Sequence, residues 1–199
     1  KIDPDGIITT VAGSYDWSTT IPTEDGYPAT ETHFGPLIDT AVAPDGTLYF
    51  SEWGGYFGTW QRIRRVTPDG IVQTVAGKKG TVLGDEDLAG VPATEAVLGH
   101  AYGLTIAPDG TLYYADPVKN TVNRITTDGL LTRVAGIRNQ RVLRGDGGRA
   151  IDASVGRVVN LALGADGTLF LRQDVRGDIV IRQIKTDGNI YALAGTTDC

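Results

Sequence analysis

The string Val-Ala-Gly stands at Val11–Gly13, returns at Val75–Gly77 and Val134–Gly136, and comes back as Leu193-Ala194-Gly195, at intervals of 64, 59 and 59 residues. Repetition at a near-constant period constrains a chain more than any local propensity, because each unit must then adopt the same supersecondary structure. Asp-Gly pairs carry the period in two interleaved series. One is Asp5, Asp69, Asp128 and Asp187; the other is Asp45, Asp109 and Asp166. Asp bonds its own backbone in a turn, and the following Gly supplies positive φ without steric cost. Each unit therefore predicts two tight hairpins.

The second unit shows the strands most clearly. Leu104–Ala107 is stopped by Pro108-Asp109-Gly110, and Thr111–Ala115 follows, rich in β-formers. Thr121–Ile125, the turn at Asp128-Gly129 and Leu130–Ala135 complete a four-stranded antiparallel meander. The strands are apolar on both sides, as in Ile71-Val72 and Thr74-Val75-Ala76, so each sheet must be covered on both faces. Radial stacking of such sheets is a β-propeller. A two-sheet sandwich is the rival, but it has no need of near-identical units. The 27 glycines, with no collagen period, agree with an all-β chain of many turns. The expected division is an outer strand of a preceding blade at 1–13, blades at 14–77, 78–136 and 137–195, and a tail at 196–199. Twelve blade strands plus one leading strand are expected, with at most a helical turn near Pro28–Glu31 and Pro92–Ala96, where Pro suits a first helical turn.

These units resemble NHL repeats, in particular the long kind found in the propellers of teneurins and of bacterial Rhs (YD-repeat) surface proteins. The residues that carry the resemblance are Ala43–Phe50, Ala107–Asp116 and Arg62–Gly77, with a connecting signature at Asp25–Glu31 and Gly90–Ala96, degraded at Asp146–Asp152. The resemblance covers essentially the whole chain. It implies an NHL-type β-propeller of three four-stranded antiparallel blades plus the outer strand of a preceding blade. It also implies a binding or spacer role in a larger extracellular or cell-surface protein, without catalysis. Fold alone does not assign a site.

Three blades are fewer than a closed ring requires. Further blades, from the same or another chain, are therefore expected. The third unit departs from the pattern. Arg172-Gln173 replaces the small-plus-acidic pairs Ser51-Glu52 and Ala115-Asp116, and Gln183 replaces Arg65 and Arg124. If that acid and that arginine pair, blade three has lost both partners together.

The net charge of −6 argues against nucleic acid as the main partner. Residues 137–195 are locally positive, which reads either as drift between blades or as an anion- or partner-facing sector. No apolar run approaches a membrane span, and the lone Cys199 offers neither disulfide nor metal motif. No nucleophile elbow, zinc helix or phosphate loop is present.

In an up-and-down meander the long loops and crossovers share one end, and variable loops on a rigid scaffold are where binding occurs. The loop Glu52–Gln61 is five residues longer than its counterpart and carries Trp53, Tyr56, Phe57 and Trp60. It reads either as a loop folded on its neighbour or as a contact surface for a protein or glycan, extended by the crossover residues Tyr102 and Arg157. A second hypothesis is a lyase- or lactonase-like enzyme with a divalent cation at the channel. It rests on Asp39 and Asn160, with Gly103 at the equivalent place between them. His33 and His100 read as hydrogen-bonded loop histidines. Asp85-Glu86-Asp87, and Asp146 with Asp152, read as solvated acidic tips or weak calcium candidates.

Overall fold

The computed structural model describes residues 1–14, 24–54, 60–80, 90–175 and 177–195. The first sheet pairs β1 (Leu37–Val42), β2 (Leu48–Gly54), β3 (Trp60–Val66) and β4 (Val72–Ala76), all antiparallel and in that order. A two-residue strand, β5 (Val91–Pro92), precedes the second sheet of β6 (Tyr102–Ile106), β7 (Leu112–Asp116), β8 (Thr121–Ile125) and β9 (Leu130–Ala135), and pairs outside β9. The third sheet is β10 (Arg157–Leu163), β11 (Leu169–Val175), β12 (Asp178–Ile184) and β13 (Ile190–Ala194). The chain is an all-β propeller segment. Its thirteenth strand is β5; residues 1–13 form no strand, and only Ile2 bridges Ile8 around the Asp5-Gly6 turn.

The two turn series are locked differently. In the inner hairpins Asp45 and Asp166 each accept both the amide and the hydroxyl of the threonine two residues on, at 2.9–3.0 Å, and Asp109 accepts the Thr111 amide at 2.9 Å. In the outer hairpins of the first two sheets the lock is a threonine before the turn. The hydroxyls of Thr67 and Thr126 both donate to and accept from the backbone of Ile71 and Leu130.

The core lies between sheets. One cluster joins Ile63 and Ala76 of the first sheet to Leu104, Leu112, Tyr114, Ile125 and Leu131 of the second. The next joins Ala115, Val122 and Ala135 of the second to Val158, Leu161, Leu171, Ile184 and Ile190 of the third. A chain of inter-sheet cores, each using a different face of the middle sheet, is radial stacking and excludes a two-sheet sandwich.

The crossovers staple neighbouring blades together. Each contains a 3-10 turn, at Ala29–Glu31, Ala93–Glu95 and Ala150–Asp152. The amides of Ala29, Ala93 and Ala150 donate to Gly70, Gly129 and Gly188 in their own blade's outer turn. Their carbonyls accept from Gly13, Gly77 and Gly136, the last two of which directly follow the outer strands β4 and β9. Those glycines have φ between +95 and +97, and a Cβ at Gly77 or Gly136 would run into the carbonyl of Gln61 or Asn120, so only Gly fits. The third turn was not expected. Pro28 and Pro92 flank their turns from outside, and Arg149 holds the same place in the third, so proline is dispensable.

Two fully buried arginines tie the crossovers to the third strands. Arg64 meets Asp25 at 2.9 Å and Glu52 at 3.3 Å, and Arg182 meets Asp146 at 2.9 Å and the carbonyl of Ser154 at 2.9 Å. At the aligned positions of blade two the sequence has Ala89 and Asn123. A paired loss does occur, then, but in blade two and for a different pair. The expected pairing of Glu52 with Arg65 and Asp116 with Arg124 is not what forms. Arg65 bonds Gln73 and Arg124 bonds Thr132 across the outer hairpin, on the opposite face of the sheet from the acid.

Candidate functional site

The acids at the ends of the second strands face the incoming crossover. Glu52 accepts the Gly35 amide at 2.9 Å and also pairs with Arg62. Asp116, almost fully buried, accepts four backbone amides: Gly99 and His100 of the crossover at 3.2 Å, and Val118 and Lys119 of its own loop at 3.1 and 3.0 Å. Burial raises its carboxyl above the usual range, against the opposing pull of the Lys119 amide and charge and of the His100 and Val118 amides. In blade three Gln173 reverses the polarity and donates to the Val155 carbonyl. The acid position therefore anchors the crossover, and an amide can do so in its place.

That anchoring holds His100 between two aromatic rings. Trp53, half-buried at the end of β2, meets the imidazole edge-on at 5.0 Å between ring centres. Tyr102, at the start of β6, stacks on it at 5.4 Å with planes 29° apart. Trp53 thus bridges blades one and two. Burial lowers the His100 pKa from its ordinary value; the Asp116 charge opposes this and the Arg157 charge adds to it. Arg157 begins β10 in blade three, is exposed, and holds Asp174 at 2.8 Å. The loop ends of three blades therefore present an aromatic ridge next to an exposed ion pair.

Of the expected site residues, Trp53, Tyr102 and Arg157 fall on this end of the blades. Tyr56 and Phe57 lie outside the described residues, as do Asp85, Glu86 and Asp87. Trp60 starts β3 opposite Gly54, and its side chain is likewise outside what is described. His100, read from the sequence as a hydrogen-bonded loop histidine, was not counted among the expected site residues. Its signal was its alignment with Pro36 and Arg157, but nothing local shows that Trp53 of another blade reaches it.

The channel-metal reading requires Asp39 and Asn160 to act together. Asp39 gives one oxygen to the Thr40 amide at 2.8 Å and the other to the Leu104 amide of blade two at 2.9 Å, so it is a clasp between blades. Gly103 intervenes at φ +61, packed so that a Cβ would sit 2.5 Å from the Leu161 nitrogen. Asn160 is exposed on β10. Two donors, one of them already bonded to two amides, do not fit a calcium ion, which takes six to eight oxygens. Among the described residues no three His, Cys, Asp or Glu side chains gather. Asp146 and Asp152 each hold an arginine, Arg182 and Arg149.

No family model matches the chain. Human Teneurin-1 is 30% identical over 222 aligned positions, covering 100% of this chain and 8% of that protein. The chain thus spans a small part of the curated relatives it matches. Among solved structures, a chain of a nidogen/laminin complex is 15% identical with a TM-score of 0.53, covering 79% of this chain and 48% of that one. A gluconolactonase from Xanthomonas campestris is 13% identical with a TM-score of 0.52, covering 80% and 47%. Likeness at that identity shows the fold.

Proposed function

This chain is an NHL-type β-propeller segment of the teneurin type, and from that premise we propose that it is a non-catalytic interaction module of a larger extracellular or cell-surface protein. The partner is a protein or a glycoprotein, met at the loop end of the blades. The observation that carries this reading is the ridge of Trp53, His100 and Tyr102 beside the Arg157–Asp174 pair. It spans three blades, whereas the inner Asp-Gly turns are short and near-identical and offer a partner little to distinguish. Aromatic side chains and Arg dominate interface energetics because they bring large area or multiple donors for few rotatable bonds. A lyase- or lactonase-like activity has support from fold likeness alone, and the use of Asp39 as a clasp weakens it.

The test is site-specific photocrosslinking. A photoreactive phenylalanine analogue is placed at Tyr102 in one version of the chain and at Asp109 in another, and each is exposed to solubilised cell-surface proteins. The reading expects discrete crosslinked species from position 102 that unlabelled chain competes away, and that Trp53→Ala reduces. Equal labelling at both positions, or none at 102, overturns it.

A further inference from the structure

The outer face of the third sheet is open. Ile179 and Leu193 are 51% and 54% exposed, and Asn160, Ala162 and Arg172 are exposed with them. We propose that this face is the seat of a further four-stranded blade whose second strand brings a carboxylate to Arg172.

Three repeat-equivalent groups identify the occupant as a blade. Asn160 aligns with Asp39, whose carboxylate clasps the first-strand amide of the next blade at Leu104. The amide oxygen of Asn160 can accept the same bond. Gly195, at φ +85, aligns with Gly13, Gly77 and Gly136, whose amides all donate to the 3-10 turn of the next crossover. Ala162 and Leu193 continue the apolar face that Ala41 and Val75, at the aligned positions of blade one, contribute to the core with blade two. A second copy of this chain does not fit. Its receiving face already has Ala12 packed on the cluster around Phe50, and Gly13 bonded to Ala29. Residues 12 and 13 thus hold the place that Ala194 and Gly195 of another copy would need.

Arg172 identifies the chemistry. In Leu48-Tyr49-Phe50-Ser51, Leu112-Tyr113-Tyr114-Ala115 and Leu169-Phe170-Leu171-Arg172 it takes the place of Ser51 and Ala115, both fully buried under the next blade. A guanidinium covered there without a partner would lose its hydration with nothing in return. This protein shows its own solution twice: the fully buried Arg64 and Arg182 each hold a carboxylate from a crossover. An ordinary copy of blade three would bring against Arg172 the apolar core that contains Leu171, as that core is brought against Ala115. The true neighbour must differ at that point.

The test extends the full chain after Gly195 with a second copy of residues 137–195. The copied Leu171 then joins the core that covers Arg172, as Leu171 shares the existing core with Ala115. Four proteins are compared: Arg172 or Arg172→Ser, each with the copied Leu171 kept or changed as Leu171→Glu. Urea unfolding should show the two matched proteins, Arg with Glu and Ser with Leu, more stable than the two mismatched ones. The coupling expected is about tenfold or more in the unfolding equilibrium. The Ser–Leu protein tests the seat independently of the charge pair, through hydrogen-exchange protection of the amides along β13. Additive effects across the four proteins would overturn the carboxylate requirement. Absence of added protection in the Ser–Leu protein would overturn the seat. A dimer of the unextended chain that Arg172→Glu abolishes would give the face to a second copy and refute the proposal.

Discussion

Replacing Arg64 by methionine tests whether the crossovers are held by buried charge. Arg64 is fully buried, lies 2.9 Å from Asp25 and 3.3 Å from Glu52, and sits over the Phe34 ring at 5.4 Å. Removing one partner of a buried pair typically costs about 3–5 kcal/mol, because the other charge is left buried. Two features lower that figure here. Glu52 keeps Arg62 and the Gly35 amide. Asp25 is 45% exposed and keeps the Thr74 amide and hydroxyl, at 2.7 and 2.9 Å. The expected loss is therefore about 2–3 kcal/mol, or roughly 5–10 °C in the unfolding midpoint of a chain this long. The assay is urea unfolding followed by circular dichroism on Arg64→Met, Asp25→Asn and the double variant. Asp25→Asn should cost less in the Arg64→Met background than in the native chain, with a coupling of about 1 kcal/mol or more. Asn123→Met, at the aligned position of blade two, should cost under about 1 kcal/mol. A loss below about 0.5 kcal/mol for Arg64→Met, or strict additivity with Asp25→Asn, would refute the reasoning.

Other outcomes follow from the same contacts. Gly103→Ala should destabilise by about 2 kcal/mol or more, measured by chemical denaturation, because its φ of +61 and the Leu161 backbone 2.5 Å from the new Cβ both oppose it. Asp39→Ala should cost about 1–3 kcal/mol by orphaning the Leu104 amide, Asp39→Asn much less, and added calcium should not shift the midpoint of the native chain. The His100 imidazole, its pKa lowered mainly by burial, should titrate below 6.5 by NMR. The folded state then binds fewer protons than the unfolded one, so His100's contribution to stability is present above pH 6.5 and is lost as pH falls through that value towards its folded pKa. Asp116 has the opposite sign. Its pKa is raised by burial, so its contribution falls as pH rises from 3.8 through its folded pKa, which the pH dependence of Asp116→Asn against the native chain should reveal.

The period of the Val-Ala-Gly strings and the two Asp-Gly series determined a great deal without any coordinates. They specified the number of strands per blade and the hairpin positions, because each rests on interactions a few residues apart, and the apolar residues on both faces of the strands then required radial stacking. Asp45 with Thr47 and Thr67 with Ile71 are of this kind: the partner is two or four residues away, so residue type suffices to infer the bond. The acid at Glu52 and Asp116 and the arginines at Arg65 and Arg124 were also visible, but their pairing was misjudged. Side chains one residue apart along a strand point to opposite faces, so which acid meets which arginine depends on register and bulges. The bulges between Ile63 and Arg64 and between Ile181 and Arg182 are where the third strands present the buried arginines.

What tertiary structure alone decided are the contacts between blades. Asp39 reaches Leu104 across 65 residues, and Trp53 reaches His100 across a crossover. Such contacts depend on where one sheet lies relative to the next, which is set by the twist of each sheet and the path of each crossover. A sequence repeat fixes what every blade is; only the packing of unlike blades turns aligned residues into different things, making Asp39 a clasp, Gly103 a close backbone approach and Asn160 an exposed group waiting on the open face.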